Sequence, residues 1–325
     1  MLAKNAKKDG FPRQNLFRRR GSSRSATVVL AVALVAALLC AQILVVARSG
    51  QLRGRENAAE LIKQIADKGL ETWLTKPMEL YYLMESQGKP IGYKAVCVEP
   101  VVGEDDSIVI QWRGKEVYCQ TDENMRIETL FSVQNDLSSY SYQEKIQNLS
   151  GGLYEVVRQT FTNGFLDISY RRNFREVALP TLPISEANFI PLVLLDLFSS
   201  LGAARKDFKD GMVFAMMDTS VIHGRSEKLL VECWVKPGGE VPKEIRSRIP
   251  GGHSVEVEWL GVGHTQAIYY DQNNQLVWQK DEFDLAELFH KAVSRSELVS
   301  VFPQAQQDID DWSGMDSSDN NKQAI

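Results

Sequence analysis

The stretch LYEVVRQTFTNGFLDISYRR, residues 153–172, decides the fold. Two β-rich runs, Leu153–Phe161 and Phe165–Arg172, flank Asn163-Gly164. Asn-Gly is the strongest short hairpin signal, because both residues accept the positive φ that a tight turn requires. The two runs therefore lie side by side and antiparallel.

Working towards the N-terminus, the same rhythm predicts strands at Met78–Gln87, Ile91–Val101, Ser107–Arg113, Lys115–Thr121, Met125–Asn135 and Ser139–Gln147. Turn residues punctuate them at Gly88-Lys-Pro90, 103–106, Gly114 and Gly151-Gly152. Links this short permit only an antiparallel meander, since parallel strands need long crossovers. Working towards the C-terminus, Pro180-Thr-Leu-Pro183 breaks the pattern. Residues 184–201, ISEANFIPLVLLDLFSSL, then predict a helix apolar around most of its circumference, which has to be buried. Ser185 suits its N-cap and Gly202 its end, and Pro191 requires a late start or a kink. Strands resume at Met212–Asp218, Lys228–Lys236, His253–Leu260, Thr265–Asp271 and Leu276–Lys280. Residues 284–299 read as a closing amphipathic helix, and 301–325 as an acidic tail too polar to fold. The expected fold class is mainly β (α+β): one large, curved, half-barrel-like antiparallel sheet over 77–300, enclosing an apolar helix.

The N-terminus supplies an address. Residues 27–47, TVVLAVALVAALLCAQILVVA, form one uncharged apolar run, and a helix crossing a bilayer needs about 20 such residues. A cleaved signal peptide has an apolar region of only about 7–15 residues, so the run reads as a single transmembrane anchor. Before it stand Lys4, Lys7, Lys8, Arg13, Arg18, Arg19, Arg20 and Arg24 against Asp9. The positive-inside rule then makes 1–26 a basic cytoplasmic tail and sends the body to the periplasmic, extracytoplasmic side of the inner membrane. The net charge of −5 leaves −12 on everything after residue 26, which argues against nucleic acid as a partner. Residues 48–76, with apolar positions Leu61, Ile62, Ile65, Ala66, Leu70, Trp73 and Leu74 at helical spacing, predict a juxtamembrane helix or stalk.

No catalytic signature stands out. His223, His253, His264 and His290 fall in no zinc spacing, so no metal or cofactor is expected. There is no G-x-S-x-G elbow. Cys119 and Cys233 sit among apolar neighbours that keep thiols inert. A bridge between Cys97 and Cys119 on neighbouring strands is conceivable. The aromatic-rich sheet reads first as core, and second as the wall of an apolar cavity that one helix fills only in part. Met212, Met216 and Met217 would line such a cleft, since methionine adapts to varied apolar ligands. Phe189, Leu194, Phe198, Trp112 and Trp234 complete the candidate lining.

Three stretches carry a resemblance. Tyr81–Tyr93, YYLMESQGKPIGY, resembles the opening hairpin of DUF3108-like envelope proteins, a module also found ahead of transglutaminase-like domains. The helix after the proline-rich break, Pro180–Leu201, is similar to the one that fills the half-barrel of LolA/LolB-type lipoprotein carriers. The hairpin Thr265–Lys280 is similar as well. The resemblance implies a curved sheet around a helix, with an apolar cleft that takes acyl chains. A helical anchor departs from a carrier that shuttles. The expectation is a membrane-anchored binding module for lipid or another apolar ligand. The alternative is a structural or interaction protein of an envelope complex with a filled core, and an enzyme with a cryptic site ranks last.

Overall fold

Asn163 and Gly164 form a two-residue turn with φ of 54° and 79°, and Thr162 faces Phe165 across it. Gln87 and Gly88 repeat the device, with φ of 50° and 73°. These turns belong to a computed structural model that describes residues 23–312 apart from 104–105, 121–122, 149–153, 174, 206–207, 218–229, 240–242, 247–250, 262 and 284–285. Two compact units, Met1–Ser49 and Gly50–Ile325, divide the chain.

In the second unit the strands are β1 Met78–Ser86, β2 Lys89–Val102, β3 Ile108–Gln120, β4 Glu123–Gln134, β5 Ser139–Asn148, β6 Tyr154–Thr162, β7 Phe165–Arg172, β8 Arg175–Ala178 and β9 Leu182–Pro183. They continue as β10 Met212–Met217, β11 Leu230–Pro237, β12 His253–Leu260, β13 His264–Tyr270, β14 Leu276–Phe283 and β15 Ala286–Ala292. All belong to one sheet of order β10-β11-β12-β13-β14-β15-β1-β2-β3-β4-β5-β6-β7-β8, with β9 also on β7. Each neighbouring pair in that order is antiparallel. The helices are α1 Ser23–Lys68, α2 Leu195–Ala203, α3 Lys243–Arg246, α4 Arg295–Val301 and α5 Ala305–Asp310.

The sheet curls until its two ends meet one short segment. Leu182 and Pro183 pair with the edge of β7, and six residues later Phe189 bridges Ala215 of β10 in parallel. The Phe189 ring also lies 5.7 Å from that of Phe161 in β6. Inside the curl sits α2, with Leu195, Phe198 and Leu201 buried in the same core as Phe131, Leu166, Phe214, Val235, Val257 and Ile268. Each such side chain contributes about 1.5–3 kcal/mol on leaving water.

The region expected as stalk packs into this core. Ala58, Leu61 and Ile65 of α1, at spacings of three and four, are buried there. Arg55 grips Glu232 through two hydrogen bonds of 2.7 Å. The helix stops at Gly69, whose φ of 83° and close approach to the Asn135 amide leave no room for a side chain. Most side chains of the 27–47 run lie outside the described residues, although its backbone is part of α1. Among the described residues, no helix is long and apolar enough to cross a membrane.

Four expectations are corrected. Ser107–Arg113 and Lys115–Thr121 form one strand, β3, that runs straight through Gly114. Of the helix expected over 184–201, the part before Pro191 is not helical: it holds a turn closed by the Phe189 amide on the Glu186 carbonyl, and Ser185 precedes that turn. Pro191, with a fixed φ of −67°, opens a single turn at Leu192–Leu194 before α2. Where one helix was expected over 284–299, Ala286–Ala292 form strand β15 and α4 starts only at Arg295, because β15 joins β14 to β1 and so completes the sheet; 284–285 lie outside the described residues. The disordered tail expected from 301 is ordered to residue 312: α5 lies on the outer face, where Leu298, Ala305 and Ile309 pack on Tyr81, Tyr93 and Val117. Residues 313–325 lie outside the described residues.

Candidate functional site

Strand register brings a mixed set of side chains onto the inner face. Leu80 opposes Val96, and Tyr82 opposes Lys94. Lys94 in turn opposes Glu116, and Val96 opposes Gly114. Gly114 opposes Thr129, which opposes Glu144. On the other flank Gln279 opposes His290. Partners across a ladder share a face, so these residues all turn inwards, towards α2.

Between them and α2 lies a cavity of about 730 Å³. From α2 and its leading turn, Leu192, Val193, Leu195, Asp196, Leu197 and Leu201 face it. Leu80, Val96, Trp112, Ile127 and Leu276 supply apolar wall. Trp73 and Leu192, 43 % and 46 % exposed, line it as well. Gly114 contributes by what it lacks: a Cβ there would meet only Thr129, at 3.5 Å. A second depression, of about 590 Å³, is open and polar, and is lined by Asp67 at the end of α1 and by turn residues such as Asn135 and Asn163.

The cavity has a charged end. Lys94 Nζ lies 3.7 Å from Glu116, which accepts a hydrogen bond from Tyr118. Glu144 accepts one from Tyr142 at 2.7 Å. His290 Nε2 lies 3.9 Å from Asp281 Oδ2, and Gln279 Nε2 holds the two Asp281 oxygens at 3.0 and 3.1 Å. Asp196 is reached by solvent through the cavity while protein surrounds it. That burial raises its carboxyl above the usual range, against the pull of Lys94 and with a further push from Asp281. Burial likewise lowers the His290 imidazole, and Lys94 adds to the effect, opposed by Glu116 and Asp281. The buried Nε2 of His290 and Nε1 of Trp259 find no hydrogen-bond partner among the described residues.

Of the residues singled out from sequence, Trp112 lines the cavity. Leu194, Phe198, Met212, Met216 and Met217 are buried in the apolar core, and Phe189 sits in the seam against β10. Trp234 faces outwards, donating to the Asp210 carbonyl at 3.2 Å with Lys236 over its ring. The sequence reading missed Tyr82, Lys94, Glu116, Asp196, Gln279 and His290. Cys97, Cys119 and Cys233 are free thiols. Cys97 opposes Arg113, six places along β3 from Cys119. At about 3.4 Å per residue that is far beyond disulfide reach. No group of three or more His, Cys, Asp or Glu among the described residues is placed to hold a metal ion.

No protein-family model matches the chain, and no curated protein matches it. The DUF3108-like and LolA/LolB-like resemblance therefore has no family model behind it. Among solved structures, the chain is similar to the crystal structure of a beta-barrel-like protein of domain of unknown function DUF1849 from Brucella abortus. The two are 11 % identical, with a TM-score of 0.44 over 67 % of this chain and 96 % of that one.

Proposed function

We propose that this chain is a binding module, tethered by the 27–47 run on the extracytoplasmic side of a membrane, that holds lipid or another apolar ligand inside its curled sheet. The observation that carries the reading is the cavity of about 730 Å³ beside α2. Ligand clefts typically measure about 300–1,000 Å³, whereas a packed core keeps few voids larger than water. The apolar walls suit an acyl or similar chain. The basic residues before the anchor support the orientation.

The test is native mass spectrometry of the full chain purified from its membrane, followed by solvent extraction of what it carries. An apolar molecule at close to one per chain is the expected result. A chain that carries nothing, and takes up no apolar probe, would instead leave the structural or interaction role.

A further inference from the structure

The side-chain amides of the cavity gather on one of its walls. We infer that the site takes a neutral amphiphile, whose hydroxyl- or amide-bearing head lies against Gln266 and Gln279 of the β13–β14 hairpin and whose apolar body runs along Leu80, Trp112 and Leu197. The inference rests on the binding function proposed above and adds the chemistry of the head group.

Three observations converge on it. First, among the described residues every side-chain amide that lines the cavity comes from one hairpin: Gln266 of β13, Asn273, Asn274 and Gln275 of the turn, and Gln279 of β14. Most of the apolar lining comes instead from α2, its leading turn and β1 to β4, so a hydrogen-bonding wall and an apolar wall are distinct. Second, the amides have bonding capacity left. Register sets Gln266 between Val257 and Asp281 on the inner face, where its side chain makes no hydrogen bond among the described residues. Gln279 gives Nε2 to Asp281 at 3.0 and 3.1 Å, which leaves its Oε1 to accept. An amide both donates and accepts, as a hydroxyl does, whereas an ammonium only donates and a carboxylate only accepts. Third, the charges of the lining answer one another. Lys94 lies 3.7 Å from Glu116, and Glu144 accepts from Tyr142 at 2.7 Å. Lys115 turns outwards to the Asp311 carbonyl and the Trp312 ring. Lys76 and Asp196, of opposite sign, are both exposed to solvent. A charged head of either sign would shed water without meeting a spare counter-charge. A neutral head avoids that cost, and hydrogen bonds to the amides offset its own desolvation.

The experiment uses the full chain held in a non-ionic amphipol and four photoreactive dodecyl probes alike in chain: a glyceryl head with two hydroxyls, the same head with both hydroxyls methylated, an ammonium and a carboxylate. Cross-linked peptides are located by mass spectrometry, and half-labelling concentrations are compared. The diol should label the cavity wall around Trp112 and Leu197 at a concentration about five-fold or more below the other three, the gain expected of one or two neutral hydrogen bonds. Gln266→Leu should bring the diol to the level of its methylated counterpart and leave labelling by the latter unchanged. Gln266→Met, closer in shape, should do the same with a parental Tm, which separates loss of the amide from loss of the fold. Equal labelling by the diol and its methylated counterpart in the parent chain, or preference for either charged probe, would overturn the head-group inference and leave the apolar site standing. So would a Gln266→Met chain that keeps the full preference for the diol. Absence of cavity labelling by all four would overturn both.

Discussion

Asn188 and Ala215 join the two ends of the curled sheet. The Ala215 amide donates to the Asn188 carbonyl at 3.0 Å, and the Ile190 amide donates to the Ala215 carbonyl at 2.9 Å. The Asn188 side chain adds a third bond, from Nδ2 to the Val213 carbonyl at 2.9 Å. Strand β10 would otherwise present an unpaired edge, a template for aggregation.

Asn188→Leu should therefore weaken the fold out of proportion to its size. The residue is 6 % exposed, and the change strands a buried Val213 carbonyl at a cost of about 1–3 kcal/mol. Thermal unfolding should show a clear drop in Tm. Ser185→Ala, in the exposed part of the same segment, should stay within about 0.5 kcal/mol of the parent. Equal melting of both variants would mean that the seam is not held by Asn188.

The C-terminal strap makes a second prediction. Asp308, 5 % exposed, accepts hydrogen bonds from Tyr93 and from Arg126 Nη2 at 2.9 and 3.1 Å. Asp308→Asn and Arg126→Gln should each destabilise by about 1–3 kcal/mol. The double variant should cost less than the sum, since one interaction is removed twice. Additive losses in urea unfolding would show that Asp308 and Arg126 act separately.

The sheet and an apolar cleft beside the helix were legible in the sequence and the polar part of its lining was not, for reasons that lie in particular residues. Asn163-Gly164 is a local turn signal, and it holds; the turn expected at Gly88-Lys89-Pro90 falls instead at Gln87-Gly88, with Lys89 and Pro90 already in β2. Residues 286–292 misled because Leu288, Phe289 and Ala292 also satisfy helical spacing; pairing to the adjacent β14 and to β1, far away in sequence, overrides it. Gly114 misled because a glycine amid strand residues reads as a turn, whereas here it leaves space inside the curl. The charged end had one faint signal. Lys94 falls in phase with Val96 and Val98, on the apolar face of β2, and Glu116 in phase with Trp112 and Tyr118 on β3. A charge in the apolar phase of a strand marks either an error of phase or a polar cavity, and only register tells them apart.

Two glycines separate empty space from filled space. A Cβ on Gly114 meets only ordinary contact with Thr129, whereas on Gly202 it falls 1.6 Å from the Met212 methyl. Gly202→Ala should thus overpack α2 against β10 and cost about 1–3 kcal/mol. Gly114→Ala should be neutral or stabilising in thermal melts, given the loss of strand-glycine entropy. Gly114→Phe should fill the cavity, keep a near-parental Tm and abolish uptake of an apolar probe. A steep fall in Tm for Gly114→Phe would mean that the space is smaller than the structure gives.

The buried ionisable groups predict opposing effects of acid on the ligand-free chain. Burial lowers His290 and His253 below their ordinary 6.5. The unfolded chain then binds more protons there, so stability rises with pH across the window just below 6.5 and is lost on acidification. Asp196 has the opposite sign. Its carboxyl is raised above the ordinary 3.8, so the folded chain holds the extra proton, and acidification through the window just above 3.8 stabilises. The expected profile is a Tm that falls from pH 7 towards pH 5. His290→Gln should flatten that fall, because it removes a group that resists protonation in the fold. Asp196→Asn should deepen the loss of Tm in the window just above pH 3.8, because it removes the opposing effect. An unchanged fall in His290→Gln would mean that burial does not hold this imidazole neutral in the fold.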